Sequence, residues 1–359
     1  MLHKDAQSEQ KCTTEAVLNK HELEPLQSDS TALKVREPIN RRFSVAPMMD
    51  WTDAHCRYFL RLLSKRALLY SEMVTTGALL YGDSARFLRH AECEHPVALQ
   101  LGGSNAEHLA ACTKMAEQAG FDEVNLNVGC PSDRVQNNMI GACLMGHPQL
   151  VADCVKQMQD AVQIPVTVKH RIGINGRDSY AQLCDFIGTV HEAGCMSFTV
   201  HARIAILEGL SPKENRDIPP LRYDLAAQLT TDFPDLEFIL NGGIKTLAEC
   251  QQHLTTFDGV MLGREAYHNP WLLSEVDHQL FGDAQREITR TGVLEQLRPY
   301  IAEHIAQGGK ATHITRHILG LAQGFPGARR FRQLLSADIY KTDEPLRIYD
   351  QAIAGLEGR

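Results

Sequence analysis

Residues 95–131 read HPVALQLGGSNAEHLAACTKMAEQAGFDEVNLNVGCP, and this stretch decides the fold. Two short apolar runs, at 96–101 and 123–127, flank an amphipathic stretch at 106–119. Strand, helix and strand in that order predict a βαβ unit and hence a parallel sheet. The same alternation extends in both directions. Further strands are predicted at 43–46, 68–71, 165–169, 197–201, 237–241 and 259–263, making eight in all. Helices are predicted near 53–64, 147–161, 179–193, 223–231 and 246–255, with a less regular link between the second and third strands. Eight strands over about 220 residues favour a closed (β/α)8 TIM barrel over an open doubly wound sheet. No GxGxxG follows any strand, so a Rossmann domain has no support.

After Pro270 the strand signals stop. From Arg286 the chain reads as helical, in GVLEQLRPYIAEHIAQ, THITRHILGLAQ and ARRFRQLLSADIY, separated by Gly308-Gly309 and Gly324-Phe325-Pro326-Gly327. The expected organisation is therefore an extension at 1–40, a barrel at 41–285 and a small C-terminal helical domain at 286–350. Residues 286–341 hold nine Lys/Arg against four Asp/Glu, a net of +5, while the whole chain carries -8. The helical module is a basic island on an acidic protein.

With 359 residues, 43% hydrophobic and 22% charged, and a mean hydropathy of -0.24, the chain can bury a sizeable core, which excludes collagen, coiled coil and wholesale disorder. No window reaches the roughly 18 uninterrupted apolar residues of a spanning helix. The first 40 residues are polar, with mixed charge and no clear periodicity, so a poorly ordered extension is expected there. They lack the apolar core of a secretory signal and are too acidic for a transit peptide, so a cytoplasmic location is expected. The ten cysteines contain no CxxC pair, which argues against a zinc ribbon and for mostly buried thiols.

In a barrel, side chains at the C-terminal strand ends converge on one mouth. Here those ends read Ala46-Pro47-Met48-Met49-Asp50, Ser71-Glu72, Gln100, Asn125 to Pro131, Lys169-His170-Arg171, His201-Ala202-Arg203, Asn241-Gly242-Gly243 and Gly263-Arg264. Caps and turns explain the glycines and asparagines. They explain Gln100, Lys169 and His201 poorly, because each ends a hydrophobic strand with a group that is costly to bury unpaired. Asn241-Gly242-Gly243 and Gly263-Arg264 suit a phosphate, with glycines allowing close backbone approach and Arg264 supplying charge. Cys130, between Gly129 and Pro131 after the fourth strand, sits where a thiol is presented at the mouth, although an isolated cytosolic cysteine is more often a small buried hydrophobe. His313 and His317 are spaced i, i+4 but lack a third ligand, so no metal is expected and a solvated or RNA-facing helix is favoured. Asp50 and Asp53 are expected to cap the first helix.

The stretches VAPMMDWTD (45–53), LNVGCPSDRV (126–135), VKHR (168–171), VHAR (200–203), NGG (241–243) and GR (263–264) together resemble the tRNA-dihydrouridine synthases over about residues 41–345. GLSPKENR (209–216) and PGAR (326–329) with Arg332 resemble the bacterial A subfamily. The resemblance implies an FMN enzyme that reduces the C5–C6 double bond of uridines 20 and 20a in the tRNA D-loop with NADPH. By matching motif it implies flavin contacts at Pro47, Met48, Met49, Gln100, Lys169, His201, Asn241, Gly242, Gly243, Gly263 and Arg264. It implies Cys130 as proton donor, and Asn127, Lys213, Arg216, Arg329 and Arg332 as tRNA contacts. Two other readings stand beside it: a Schiff-base aldolase-type barrel using Lys169, and a noncatalytic RNA-binding protein. A monomer with no membrane partner is expected.

Overall fold

The computed structural model describes residues 38–132 and 139–357. Almost all of the expected extension, and Asp133, Arg134 and Val135 of the quoted motif, lie outside the described residues. Eight parallel strands close in chain order: β1 Phe43–Val45, β2 Leu68–Thr75, β3 Val97–Gly102, β4 Glu123–Val128, β5 Val166–Arg171, β6 Ser197–His201, β7 Glu237–Asn241 and β8 Gly259–Leu262. Pairing of β1 with β8 completes the ring. The expected (β/α)8 barrel is the fold.

The helices are α1 Ala54–Leu63, α2 Thr76–Tyr81, α3 Ser84–Leu88, α4 Ala106–Ala119, α5 Pro148–Ala161, α6 Tyr180–Glu192, α7 Tyr223–Asp232, α8 Leu247–His253, α9 Arg264–His268 and α10 Val276–Phe281. Several begin where a side chain can accept from the orphan N–H groups of the first turn. Asp53, Asn105, Ser179 and Thr246 do this for α1, α4, α6 and α8. Asp50 does not: its backbone is left-handed at φ 64° and its N–H donates to Glu72. The expectation that both aspartates cap α1 thus holds for Asp53 alone.

Successive strand residues face opposite sides, so each strand shows one set to the helices and one to the barrel interior. In β4, Val124, Leu126 and Val128 join the core shared with the helices. Glu123 and Asn125 hydrogen-bond inward to neighbouring strands. The interior is lopsided. Ala46, Leu68, Tyr70, Ala98, Ile239 and Met261 form a small apolar cluster on one side, while β3, β4 and β5 contribute Gln100, Asn125, Asn127, Thr167, Lys169 and Arg171. β2 runs to Thr75, four residues past the expected end, through a register shift between Tyr70 and Met73. Polar Ser71 and Glu72 resemble a strand end in sequence. In the fold, Ser71 Oγ donates to Glu72 O and accepts from Gln100 N, so its polarity is satisfied within the strand.

Beyond the barrel come α11 Arg290–Ala306, α12 Thr312–Ile318, α13 Ala328–Ser336 and α14 Pro345–Glu357. α11 continues through Pro299, which ordinarily breaks a helix. Its buried Val293, Leu294, Leu297 and Ile301 and the stacking of Tyr300 on Tyr58 at 3.9 Å hold it in place. α14 passes residue 350, where the helical region was expected to end, and buries Ile348, Tyr349, Ala352, Ile353 and Leu356. No helix among the described residues is long and apolar enough to cross a membrane.

Candidate active site at the barrel mouth

Strand register brings the expected residues to one rim. Gln100 pairs with Asn125, Asn127 with Lys169, Arg171 with His201, and His201 with Asn241. Because side chains alternate, all of these face inward at the C-terminal end of the barrel.

Cys130 is half-buried and its backbone is held at every polar group. Asn127 Oδ1 accepts from Gly129 N at 3.1 Å and from Cys130 N at 3.0 Å. Ala142 N donates to Cys130 O at 2.9 Å. Arg171 Nε donates to Gly129 O at 2.9 Å. Gly141, at φ 85°, lies so close that a Cβ there would stand 2.4 Å from Cys130 O. The two accepted bonds occupy both lone pairs of Asn127 Oδ1, and Asn127 Nδ2 donates to Gln100 Oε1 at 2.7 Å, which leaves one N–H of Asn127 to offer elsewhere.

Lys169 Nζ donates to Asn241 Oδ1 at 3.0 Å, and Asn241 Nδ2 donates to Met261 O at 2.7 Å. Burial first, then Arg171, pushes the Lys169 ammonium down to about 7, while Cys130 acts in the opposite direction. Arg171 is 2% exposed and, among the described residues, bonds only to carbonyls, adding Ile204 O at 2.9 Å and Asn215 O at 3.0 Å to Gly129 O. It ties the Cys130 loop to the segment carrying Lys213 and Arg216. Burial lowers its value to about 10, with Arg216 and Arg203 adding to the shift and Cys130 opposing it, so it stays cationic at neutral pH. Burial and then Arg171, Lys169, Arg203 and Arg216 push His201 well below its ordinary value, leaving a neutral imidazole.

The His201 ring lies against the backbone of Gly242, where a Cβ would stand 2.5 Å from it; Gly242 and Gly243 have φ of 110° and 78°. Tyr223 OH donates to Gly242 O at 2.6 Å. Gly263 faces Met48 and Ala46 across the β1–β8 seam, while Pro47 is half-buried and Met49 exposed. Arg264 pairs with Asp217 at 2.7 Å, both side chains nearly half exposed. Such a surface pair is worth about 0–1 kcal/mol and is readily exchanged for another anion. Around the mouth stand Lys169, Arg171, Arg203, Arg216 and Arg264, and the ion pair with Asp217 engages only Arg264. A left-handed glycine pair beside this cationic surplus fits a phosphate-bearing, electron-rich cofactor.

Lys213 and Arg216 are exposed in the segment after β6, and Arg329 and Arg332 are exposed on α13; none of the four has an ion pair among the described residues. His317 departs from the solvated or RNA-facing reading. It is buried, with Nε2 3.1 Å from Asp53 Oδ1, and Arg316 donates to Asp53 Oδ2 at 2.7 Å. Burial alone would raise the Asp53 carboxyl, yet the bonds from His317 and Arg316 hold it well below the usual range. This cluster joins α12 to the start of α1. His313 instead meets His304, with Nδ1 and Nε2 3.1 Å apart.

Sequence reading did not single out Arg171, Asn125, Thr167, Asp217 or Gly141 for roles at the site. Arg171 carries a signal in the sequence, since it shares the inward parity of Lys169. The others act through partners 11 to 47 positions away.

A parallel barrel with a cysteine on a tethered loop beside a cationic mouth has the form of a (β/α)8 enzyme. The profile of the dihydrouridine synthase family, Dus, matches residues 44–355, and the chain belongs to that family. It is 76% identical over 323 residues to the tRNA-dihydrouridine(20/20a) synthase of Pseudomonas syringae pv. tomato, covering 90% of this chain and 96% of that protein. It is 74% identical over 321 residues to the enzyme of that name from Pseudomonas aeruginosa, covering 89% and 97%. The Escherichia coli enzyme of the same name is 58% identical over 313 residues, covering 87% and 90%. The family and subfamily expected from the motifs are upheld, and the aldolase and noncatalytic readings lose their support.

Proposed function

We propose that this enzyme reduces uridines 20 and 20a in the tRNA D-loop to 5,6-dihydrouridine, using FMN and NADPH. The observation that carries the reading is Cys130, locked by its backbone at a mouth lined by Lys169, Arg171, His201 and the glycines at 242–243. FMN held there would supply, with electrons drawn from NADPH, the hydride that C6 of uracil takes up. Cys130 Sγ–H gives its proton to C5, so that one hydride and one proton saturate the double bond. A thiol, ordinarily protonated at neutral pH, suits that task.

Lys169 and the strand-end amides Gln100 and Asn241 would orient the ring of the cofactor. Pro47, Met48 and Met49 would pack against it, and His201, Gly242, Gly243, Gly263 and Arg264 would hold its phosphate end. Neutral His201 can donate one N–H without adding charge. Residues 41–285 form the FMN-binding domain and the helices from 286 to the end of α14 the tRNA-binding domain, in a cytoplasmic monomer. Asn127, Lys213, Arg216, Arg329 and Arg332 hold the tRNA; a base inside folded RNA must be extruded to reach the mouth, and phosphate contacts beside it stabilise that state.

The test is direct. Purified protein is expected to be yellow with one noncovalent FMN, bleached by NADPH, and to place dihydrouridine at positions 20 and 20a of unmodified tRNA. Colourless protein that takes up no FMN on reconstitution would overturn the reading.

A further inference from the structure

The barrel interior carries a chain of side-chain hydrogen bonds that runs in one direction. Asn127 Oδ1 accepts from two backbone N–H groups, so its oxygen and nitrogen are fixed. Asn127 Nδ2 therefore donates, and does so to Gln100 Oε1 at 2.7 Å. Gln100 Nε2 donates to Asn125 Oδ1 at 2.8 Å, and Asn125 Nδ2 to Thr167 Oγ1 at 2.9 Å. The Thr167 hydroxyl then donates to Glu123 Oε1 at 2.7 Å. Glu123 is fully buried and also accepts from Tyr70 OH at 2.6 Å and from Arg41 Nε at 2.7 Å. Every link points from the Cys130 loop toward a carboxylate near the opposite end of the barrel. A carboxylate paired with a guanidinium only accepts, so the direction of the whole chain is set at that end.

We propose that Thr167, held by Glu123, is a positioning residue for Cys130: their bond fixes the polarity of the Asn125, Gln100 and Asn127 amides and so keeps an acceptor under the Cys130 loop. Without the hydroxyl, Asn125 Nδ2 faces an apolar group, and burying that donor unpaired is costly. Rotating the amide exchanges that unpaired donor for an unpaired acceptor and sets donor against donor at Gln100. The same conflict then passes to Asn127 and takes its oxygen off Gly129 N and Cys130 N. The catalytic part of the proposal rests on Cys130 as proton donor; the structural part does not.

Thr167→Val keeps the volume and deletes the hydroxyl, whereas Thr167→Ser keeps it. In FMN-loaded Thr167→Val, the Cys130 backbone N–H is expected to exchange with solvent about fivefold faster than in wild type, the scale of one lost hydrogen bond. Dihydrouridine formation per bound FMN should slow by about tenfold, as for a displaced reacting group, and by more than flavin reduction by NADPH slows. Thr167→Ser should restore both exchange and rate. Asn125→Leu interrupts the same chain one link nearer the site and should behave as Thr167→Val does, which covers the case that the valine variant does not fold. Exchange at Cys130 equal to wild type, or raised equally across all barrel strands, would overturn the proposal. Wild-type protein that makes no dihydrouridine would instead sink the functional reading, and the exchange comparison would still decide the positioning role.

Discussion

Two side chains at the mouth make separable predictions at the scale of single residues. Cys130→Ala removes the proton donor and none of the bonds described above, because those are made by the backbone. The variant should therefore keep FMN and its reduction by NADPH, yet form dihydrouridine at least about 10²-fold more slowly, the usual scale for a general acid. Rapid-mixing measurement of flavin reduction, set beside product analysis on tRNA, separates the two half-reactions; unchanged turnover would remove Cys130 from the chemistry. Lys169 predicts a pH dependence. In the free protein, burial and Arg171 lower it to about 7, whereas a bound flavin anion would favour its ammonium form. Affinity for FMN should accordingly be highest below pH 7 and fall as pH rises above it, by at most about tenfold per pH unit for one coupled proton. Lys169→Met should bind more weakly and without that slope in titrations between pH 6 and 9. A wild-type slope retained in the methionine variant would assign the proton to another group.

The elements of the fold were legible because period-two patterning is local. The alternation of E-V-N-L-N-V marks β4 and its inward polar face without any knowledge of partners. What was not legible depends on contacts distant in sequence. The polar pair Ser71-Glu72 masked the continuation of β2, since the bond that Ser71 Oγ accepts comes from Gln100 N, 29 residues on. α14 carries helical periodicity of its own, but its stability comes from packing, including the bond from Tyr349 OH to Leu294 O at 2.7 Å. His317 looked solvated because Asp53, 264 residues away, is its partner. Gly141 yields the prediction at this scale. Its left-handed φ costs an L-residue roughly 1–2 kcal/mol, and a Cβ would meet backbone oxygen rather than a flexible side chain. Gly141→Ala should lower stability by about 2 kcal/mol or more, read from the urea midpoint. It should also slow product formation beyond what the folded fraction explains, because the strain is relieved by moving Cys130. Full activity per folded molecule would show that the loop yields without moving the thiol.

For the whole molecule, the basic charge of the C-terminal helices must be divided into what is spent within the protein and what faces outward. Of the nine cations in 286–341, Arg298 pairs with Asp350, Arg330 and Lys341 with Asp338, Arg316 with Asp53, and Arg286 with Asp277. Arg290 lies over the rings of Trp271 and Phe325 at 4.3 Å and 4.8 Å. Lys310, Arg329 and Arg332 remain without such partners among the described residues. Arg329 and Arg332 stand three residues apart on α13, so they share one face, and buried Phe331, Leu334 and Leu335 fix the rotation of that helix. Their charge is therefore available to RNA phosphate at no cost in broken ion pairs, unlike that of Arg298 or Arg316. Each phosphate contact releases counterions, so removing one should lower the log–log salt slope of tRNA binding by about one unit. Arg329→Ala and Arg332→Ala should each weaken binding with a shallower slope, while FMN content and NADPH oxidation stay at wild-type levels. Arg298→Ala, which removes a cation already neutralised by Asp350, should leave the slope unchanged. As exposed positions, 329 and 332 should alter stability by no more than about 0.5 kcal/mol, which separates lost docking from lost fold. Titrations at several salt concentrations decide the matter: slopes matching wild type in both arginine variants would mean that α13 does not carry the RNA.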